Sequence, residues 1–167
     1  MSEVRRRTIT EQVGDIKERL ENLEIFENVL KSNATLLKQL LANIGSLTTL
    51  PAAIVTVGPG DYPDNDPDAP AQRDRELQLG IVCVGEYQAD IDDQHETVWD
   101  LLDTVDRSFT PGNGANGDGT ISETEPTTIN GVEYTPLTVR PVAAGDDRSA
   151  YSLVLQAIDT VQTRDEV

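Results

Sequence analysis

The sequence predicts an α+β domain in which helices flank a mainly antiparallel sheet. Three observations carry this prediction. Three segments repeat apolar residues at helical spacing, six other runs are rich in branched apolar residues, and clusters of Gly, Pro, Asn and Asp separate them. The predicted element order is α-β-α-β-β-α-β-β-β, in a single domain that spans residues 1–167.

The first predicted element is a helix that follows a short basic segment. Thr8 and Glu11 fit a capping box, and apolar residues then recur at helical spacing over residues 10–22. Residues 24–30 have no clear period, which favours a short edge strand. The basic segment before the helix, residues 1–9, is expected to be a flexible arm.

The middle of the chain predicts a second helix and two buried strands. Ser32 or Asn33 is positioned to cap the helix, and Gly45 to end it. Apolar runs over residues 51–58 and 75–87 predict the two strands, which we expect to be antiparallel.

A third helix is predicted after the second buried strand. Asp92 or Asp93 is positioned to cap it, and Trp99 to lie at the margin of its buried face. Five apolar residues at helical spacing form the expected buried stripe: Val98, Leu101, Leu102, Val105 and Phe109.

Three closing strands are predicted over residues 129–134, 137–142 and 151–161. Gly, Asp and Asp at 145–147 favour the turn before the last strand. Both faces of that strand are apolar, which indicates either burial on both faces or a contact between copies. Residues 162–167 predict a frayed tail.

Two long loops interrupt these elements. Residues 58–74 include a stretch with three prolines and five aspartates in fourteen positions, which favours a solvated acidic loop. Residues 110–127 are rich in Gly, Asn, Asp and Thr and predict a second polar loop.

The composition restricts both solvent and partners. The chain has 30 acidic and 13 basic side chains, a formal net charge of −17, and three lysines against 17 aspartates and 17 threonines. This balance is typical of proteins from salt-loving microbes, because molar salt shortens the Debye length to about 3 Å and screens the repulsion. An ordinary acidic protein is the alternative. Either surface repels phosphate backbones, so tight DNA binding is not expected.

Cysteine use and hydropathy indicate where the protein is made. Cys83 is the one cysteine, which excludes an intramolecular disulfide and a multi-cysteine zinc site, and its apolar neighbours predict a buried thiol. No stretch approaches the roughly 18 apolar residues that span a bilayer. A signal peptide requires an apolar run after its positively charged start, and no such run follows the arginines at 5–7. We therefore expect a soluble, intracellular product without a membrane partner.

The sharpest local motif is the stretch 114–125, which partly fits the twelve-residue Ca²⁺ loop of an EF-hand. Its first position is Gly114 instead of aspartate, and Pro126 follows where an EF-hand continues into a helix. A true EF-hand is therefore excluded. A turn rich in Asn, Asp and Gly is the favoured interpretation, and an isolated Ca²⁺-binding loop is the alternative.

No other segment predicts a catalytic residue, a metal ligand or a cofactor site. Prolines separate the carboxylates of residues 61–74, which favours a solvated charge run. His95, the one histidine, is expected on the surface at a helix start. No serine lies in a nucleophile elbow, and no phosphate-binding loop or HExxH motif occurs. The arginines at 5–7 favour docking on an acidic neighbouring subunit or a contact with nucleic acid. We therefore expect no enzyme.

Four stretches in this element order resemble the tail terminator (tail-completion) proteins of long-tailed phages, including the Mu-like branch. They are LTTLPAAIVTV, ELQLGIVCVGEY, HETVWDLLDTVDRSF and AYSLVLQAIDT. The resemblance covers residues 10–162 and rests on apolar spacing. With the salt-adapted composition, it points to a virus of a halophilic archaeon.

The resemblance implies a structural virion protein of the tail or neck. Such proteins form rings, usually hexameric, that cap the head-proximal end of the tail tube. The partners would be further copies, the tail tube protein and the head-tail connector or stopper protein, and DNA would pass through the ring without specific binding. The two long loops are expected at the ring faces or the lumen. The alternatives are another neck or head-completion protein, a small Ca²⁺-binding module, and a hydrolase without a recognisable motif.

Overall fold

The computed structural model describes residues 7–32, 44, 47, 49–61, 74–87, 92, 94–109, 127–142, 144 and 148–160. The α+β prediction is confirmed: six strands form one mixed sheet, and two helices pack on one of its faces. The predicted second helix lies outside the described residues except for Ile44, which is buried. The predicted turn at 145–147 and the tail at 162–167 also lie outside them.

Helix α1 (Ile9–Asn22) begins at the predicted capping box. The backbone N–H of Glu11 donates to Thr8 Oγ1 at 3.1 Å, and the backbone N–H of Thr8 donates to Glu11 Oε1 at 3.0 Å. Both bonds satisfy donors that have no partner inside the helix. Thr8 and Ile9 of the expected basic arm therefore form the start of this helix, Arg7 directly precedes it, and residues 1–6 lie outside the described residues.

Helix α2 (Glu96–Phe109) buries the whole predicted apolar stripe, and Trp99 lies at its margin with 48% of its surface exposed. The helix begins at Glu96, four residues after Asp92, so its start lies later than a cap at Asp92 predicts. Asp93, the other predicted cap, lies outside the described residues.

The six strands form one sheet in the order β1-β2-β3-β6-β5-β4. They are β1 (Asn28–Ser32), β2 (Ala52–Asp61), β3 (Asp74–Glu86), β4 (Thr127–Ile129), β5 (Val132–Val142) and β6 (Arg148–Thr160). β1 and β2 are parallel, and the other four neighbouring pairs are antiparallel, including the predicted β2–β3 pair. β1 and β4 are therefore the terminal strands of the sheet.

The prediction of separate strands over residues 129–134 and 137–142 is wrong. The hairpin turn falls at Asn130 and Gly131, whose φ angles of 51° and 84° are both left-handed. Asn-Gly favours such a turn because its twist matches that of the flanking strands. β5 then runs without interruption to Val142, with a register shift between Pro136 and Thr138.

The loop predicted over residues 58–74 is shorter than expected at both ends. β2 continues to Asp61, and β3 begins at Asp74. The register shifts between Val57 and Gly60, which accommodates Pro59 and its missing N–H. A Cβ at Gly60 would lie 3.1 Å from Leu77 Cδ1, so glycine allows the strands to approach here. Residues 62–73 lie outside the described residues.

The predicted edge strand is displaced along the chain. β1 begins at Asn28 instead of residue 24, because Glu24 has a left-handed φ of 58° that interrupts an extended backbone. The backbone N–H of Glu27 donates to the carbonyl of Pro51 at 2.8 Å, which aligns β1 with β2.

The loop predicted over 110–127 ends one residue early, since Thr127 begins β4.

The main core lies between the helices and the facing side of the sheet. Along β3, Leu79, Ile81 and Cys83 point into this core, while Val82 and Val84 point to the opposite face and pack in a second cluster with Ile44. Cys83 is fully buried, as predicted, and burial raises the pKa of its thiol to about 12. β6 lies between β3 and β5, and this central position accounts for its two apolar faces.

Candidate functional site

The predicted cation-binding segments fall largely outside the described residues. The stretch 114–125 lies wholly outside them, as does most of the acidic loop, whose first residue, Asp61, is exposed. Across the residues that the structure describes, no group of three or more His, Cys, Asp or Glu side chains is placed to hold a metal ion. No helix in this part of the chain is long and apolar enough to cross a membrane.

His95 lies just before α2, where its ring contacts two other aromatic rings. Its centroid is 5.4 Å from that of Tyr87, nearly edge-on, and 5.9 Å from that of Trp99. These three residues line a hollow of about 380 Å³ between α2 and the ends of β3, β5 and β6. The hollow also includes Arg148 and Pro141. His95 is half-buried there, instead of lying on the open surface as predicted.

The chemistry of this hollow is limited by the position of its serine. Ser149 Oγ lies 2.6 Å from His95 Nδ1, which brings together the hydroxyl and the imidazole of a possible nucleophile pair. Ser149, however, lies within β6 with only 4% of its surface exposed. The described residues that line the hollow include no carboxylate to orient the imidazole as a base. The hydrogen bond ties the start of α2 to the sheet.

A second polar cluster lies where Arg7 meets α1. The Arg7 guanidinium donates to both oxygens of Asp15, from Nη2 to Oδ1 at 2.8 Å and from Nε to Oδ2 at 2.9 Å. This two-bond pairing raises the pKa of Arg7, with hydrogen bonding to Asp15 as the largest cause. Asn130 in the β4–β5 turn donates to Asp15 Oδ1 at 2.9 Å. Asp15 therefore connects the chain before α1 to the far hairpin.

The backbone of Arg7 is bonded as well. Its N–H donates to Asp159 Oδ2 in β6 at 2.8 Å, and its carbonyl accepts from Arg75 Nη2 in β3 at 2.8 Å and from Gln12 Nε2 at 3.1 Å. Tyr134 is buried close by, and burial raises the pKa of its phenol well above the usual range. This cluster anchors the chain before α1 to the sheet. Its role is structural, because both buried acids, Asp15 and Asp159, already accept hydrogen bonds from Arg7 within the fold.

One side of the molecule exposes apolar side chains beside α2 and β5. Trp99, Leu137 and Val139 are 48%, 47% and 48% exposed, which is high for residues of this size. Helix α2 lies alongside β5, because Phe109 contacts the ring of Tyr134 at 6.2 Å and Trp99 lines the same hollow as Pro141.

The backbone of β5 is also uncovered along this side. β4 pairs only with residues 132–134 of β5, so within the described chain no strand pairs the outer edge of residues 135–142. Asp103 is exposed one helical turn after Trp99, on the same flank of α2. We call this surface the β5 side: Trp99, Asp103, Leu137 and Val139.

The opposite side of the molecule is formed by α1 and the terminal strand β1. Leu30 is 37% exposed, and Lys31 beside it is exposed as well. Lys17 lies on the neighbouring flank of α1, where its Nζ is 3.4 Å from Glu21 Oε2. No described strand pairs the outer edge of β1. We call this surface the β1 side: Lys17, Leu30 and Lys31.

Sequence reasoning did not identify the residues that form these two sides. Leu137 and Val139 alternate with polar residues, a pattern that equally fits a strand half-buried within a domain. The short β4 leaves the outer backbone edge of residues 135–142 without a described strand partner.

No family model matches this chain, and no curated protein matches it.

Proposed function

We propose that the chain is a structural virion protein, a tail terminator subunit that assembles with copies of itself into a hexameric ring. The ring would cap the tail tube at its head-proximal end and join it to the connector. DNA would pass through without specific binding. The protein would act by occupying surfaces and not by catalysis.

The observation that carries this proposal is a single sheet that, among the described residues, has an unpaired edge on each of two opposite sides, each beside exposed apolar side chains. Uncovered edges are a liability in a protein that stays monomeric, because their backbone groups and apolar neighbours invite further strands. A protein that works as one member of a ring puts both edges to use. The net charge of −17 adds a second support, because an acidic passage does not retain DNA phosphates.

The first test is the mass of the purified protein in molar salt, where screening removes most of the repulsion between such acidic copies. Light scattering should give six times the chain mass of 18.2 kDa. A single-chain mass at every protein concentration, both alone and with the tail tube protein, would count against a ring subunit.

The second test is the position of the protein in the virion. Gold-labelled antibody should mark the junction of tail and head, and tails assembled without the protein should be abnormally long. A label on the head side of the connector, with tails of normal length, would favour a head-completion or other neck protein.

A further inference from the structure

We infer that two free copies of this chain pair through β1 about a two-fold axis, so that their two sheets join into one. The inference goes beyond the proposed function, because a two-fold contact ends at two chains and cannot build a ring. It concerns the chain before it joins a ring, when no ring neighbour covers β1. The occupant of this edge is the β1 strand of a second copy.

The first argument is the direction of the backbone groups along β1. The N–H of Glu27 donates to the carbonyl of Pro51, which directly precedes β2. Successive residues of an extended strand direct their N–H and C=O groups to opposite edges, so every second residue after Glu27 also faces β2. The remaining residues of the strand face outward, where no described strand pairs them: Asn28, Leu30 and Ser32. β1 contains no proline, so each outward N–H can donate to a further strand.

The second argument is the balance of charge beside β1. The groove between α1 and β1 is lined by two lysines and two glutamates, Lys17, Lys31, Glu21 and Glu27, although acids outnumber bases 30 to 13 in the whole chain. The exposed Glu24 in the preceding turn leaves this edge with one acid in excess. Lys17 and Glu21 already pair with each other on α1. Glu27 and Lys31 lie about 13 Å apart along the strand, too far to pair within one chain.

A two-fold axis through Val29 brings these two charges together. In antiparallel strands centred on Val29, Glu27 of each copy lies opposite Lys31 of the other, so the ion pair forms twice. All three side chains point to the α1 face of the sheet, because Val29 belongs to the main core. Moving the axis by one residue in either direction would lose both ion pairs. Charge therefore selects a single register.

The same register covers the apolar side chain that β1 exposes. Leu30, which is 37% exposed, lies on the other face of the sheet and diagonal to Leu30 of the second copy, within reach of a side-chain contact. On the α1 face, α1 packs over both β1 and β2, so its axis lies inward of the edge. The two α1 helices would then lie roughly 10 Å apart, a usual distance between packed helices.

The first experiment places cysteines at the two charged positions. Glu27→Cys alone and Lys31→Cys alone should stay uncoupled under a mild oxidant, and a mixture of the two should give covalent dimers, because opposite residues of antiparallel strands lie within disulfide distance. A chain with both changes should stop at dimers, whereas a contact between unlike surfaces would give larger oligomers. Gln78→Cys, on the central strand β3, is the matched control and should not couple to Lys31→Cys. Cys83 can stay, because it is fully buried.

The second experiment exchanges the charges. Glu27→Lys and Lys31→Glu should each raise the dissociation constant of the dimer about tenfold, because each places two like-charge pairs across the axis. The chain with both changes should recover most of the loss. Arg107→Glu, on the exposed part of α2, changes the net charge as much as Lys31→Glu and should have less effect. Sedimentation equilibrium measures the dimer, and circular dichroism checks that every variant folds.

The outcomes separate this inference from the proposed function. Coupling in either single cysteine variant, or none in the mixture, would overturn the two-fold contact and leave the tail terminator proposal standing. Dimers in the expected register, from a protein that is absent from the tail end of virions, would keep the contact and remove the tail terminator proposal. A protein that sediments as a single chain at every concentration would overturn both.

Discussion

The core beneath the helices and the two outer sides of the same sheet differ in how much of their apolar side-chain surface is exposed. Beneath α1 and α2, side chains such as Ile16, Leu79 and Phe109 have no exposed surface. On the β5 side, Leu137 and Val139 are about as large and half exposed. Both regions alternate apolar residues along strands, so the difference comes from what covers them.

This difference in exposure means that the two regions contribute differently to the stability of the folded monomer. Burial beneath the helices supplies most of the favourable free energy of folding, because the hydrophobic term scales with the apolar area removed from water. The outer sides contribute little to the folded monomer. Their apolar surface gains free energy only when another chain covers it.

The largest expected effect is in the covered core. Phe109→Ala should lower the free energy of unfolding by about 3–5 kcal/mol, because it empties a site packed against Tyr134 and beneath the Arg19 guanidinium, 5.1 Å from the ring centroid. Phe109→Leu should cost much less. Urea denaturation measures both, and a loss below about 1 kcal/mol for the alanine variant would mean that the core is looser than described.

The polar anchor at Arg7 should rank second. Asp15→Ala should cost about 2–3 kcal/mol, near the low end for buried ion pairs, because the Arg7 and Asn130 donors lose their acceptor while Arg7 keeps some contact with water. The matched control is Lys17→Ala, which breaks an exposed pair on the same helix and should cost less than about 0.5 kcal/mol. Equal losses would contradict a structural role for the Arg7 cluster.

The third effect is a loss of stability at alkaline pH. An unfolded chain ionises Cys83 near pH 8.5, its ordinary pKa being about that value. The folded chain keeps the thiol protonated until about pH 12. The unfolded state alone releases this proton, so the free energy of unfolding should fall above about pH 8.5, by up to about 1.4 kcal/mol per pH unit.

A second group steepens this decline. The pKa of Tyr134 is also raised by burial, so its contribution begins to fall near the ordinary tyrosine pKa of about 10. Cys83→Ala should flatten the profile between about pH 8.5 and 10 and leave only the decline due to Tyr134 above about pH 10. A profile unchanged by Cys83→Ala would mean that the thiol is already accessible to solvent.

The smallest expected effect on folding lies on the outer sides. Val139→Asp and Leu30→Asp should change the free energy of unfolding by less than about 0.5 kcal/mol when measured on dilute monomer. Their effect on assembly should be large. A folding loss comparable to that of Phe109→Ala would mean that these side chains belong to the core.

The core could be predicted from the sequence, because helical spacing is a strong signal over fourteen residues. The capping box at Thr8 and the five-residue stripe of α2 were both correct. The element boundaries that depend on tertiary contacts were predicted incorrectly. The break predicted between residues 134 and 137 is absent, because pairing with β6 carries β5 through Pro136, and β2 continues into the predicted loop as far as Asp61.

The candidate docking sides were beyond prediction for a related reason. Which strands end the sheet depends on pairings between segments far apart in sequence, and Leu30 and Val139 lie more than a hundred residues apart. The hydrogen bond between His95 and Ser149 is equally non-local. The tail terminator identity remains a prediction from resemblance and is tested by the experiments above.

The mass of the purified protein in molar salt tests the proposed ring most directly. Light scattering should give six times the chain mass of 18.2 kDa, because salt screens the repulsion between acidic copies. A single-chain mass at every protein concentration, both alone and with the tail tube protein, would contradict the ring.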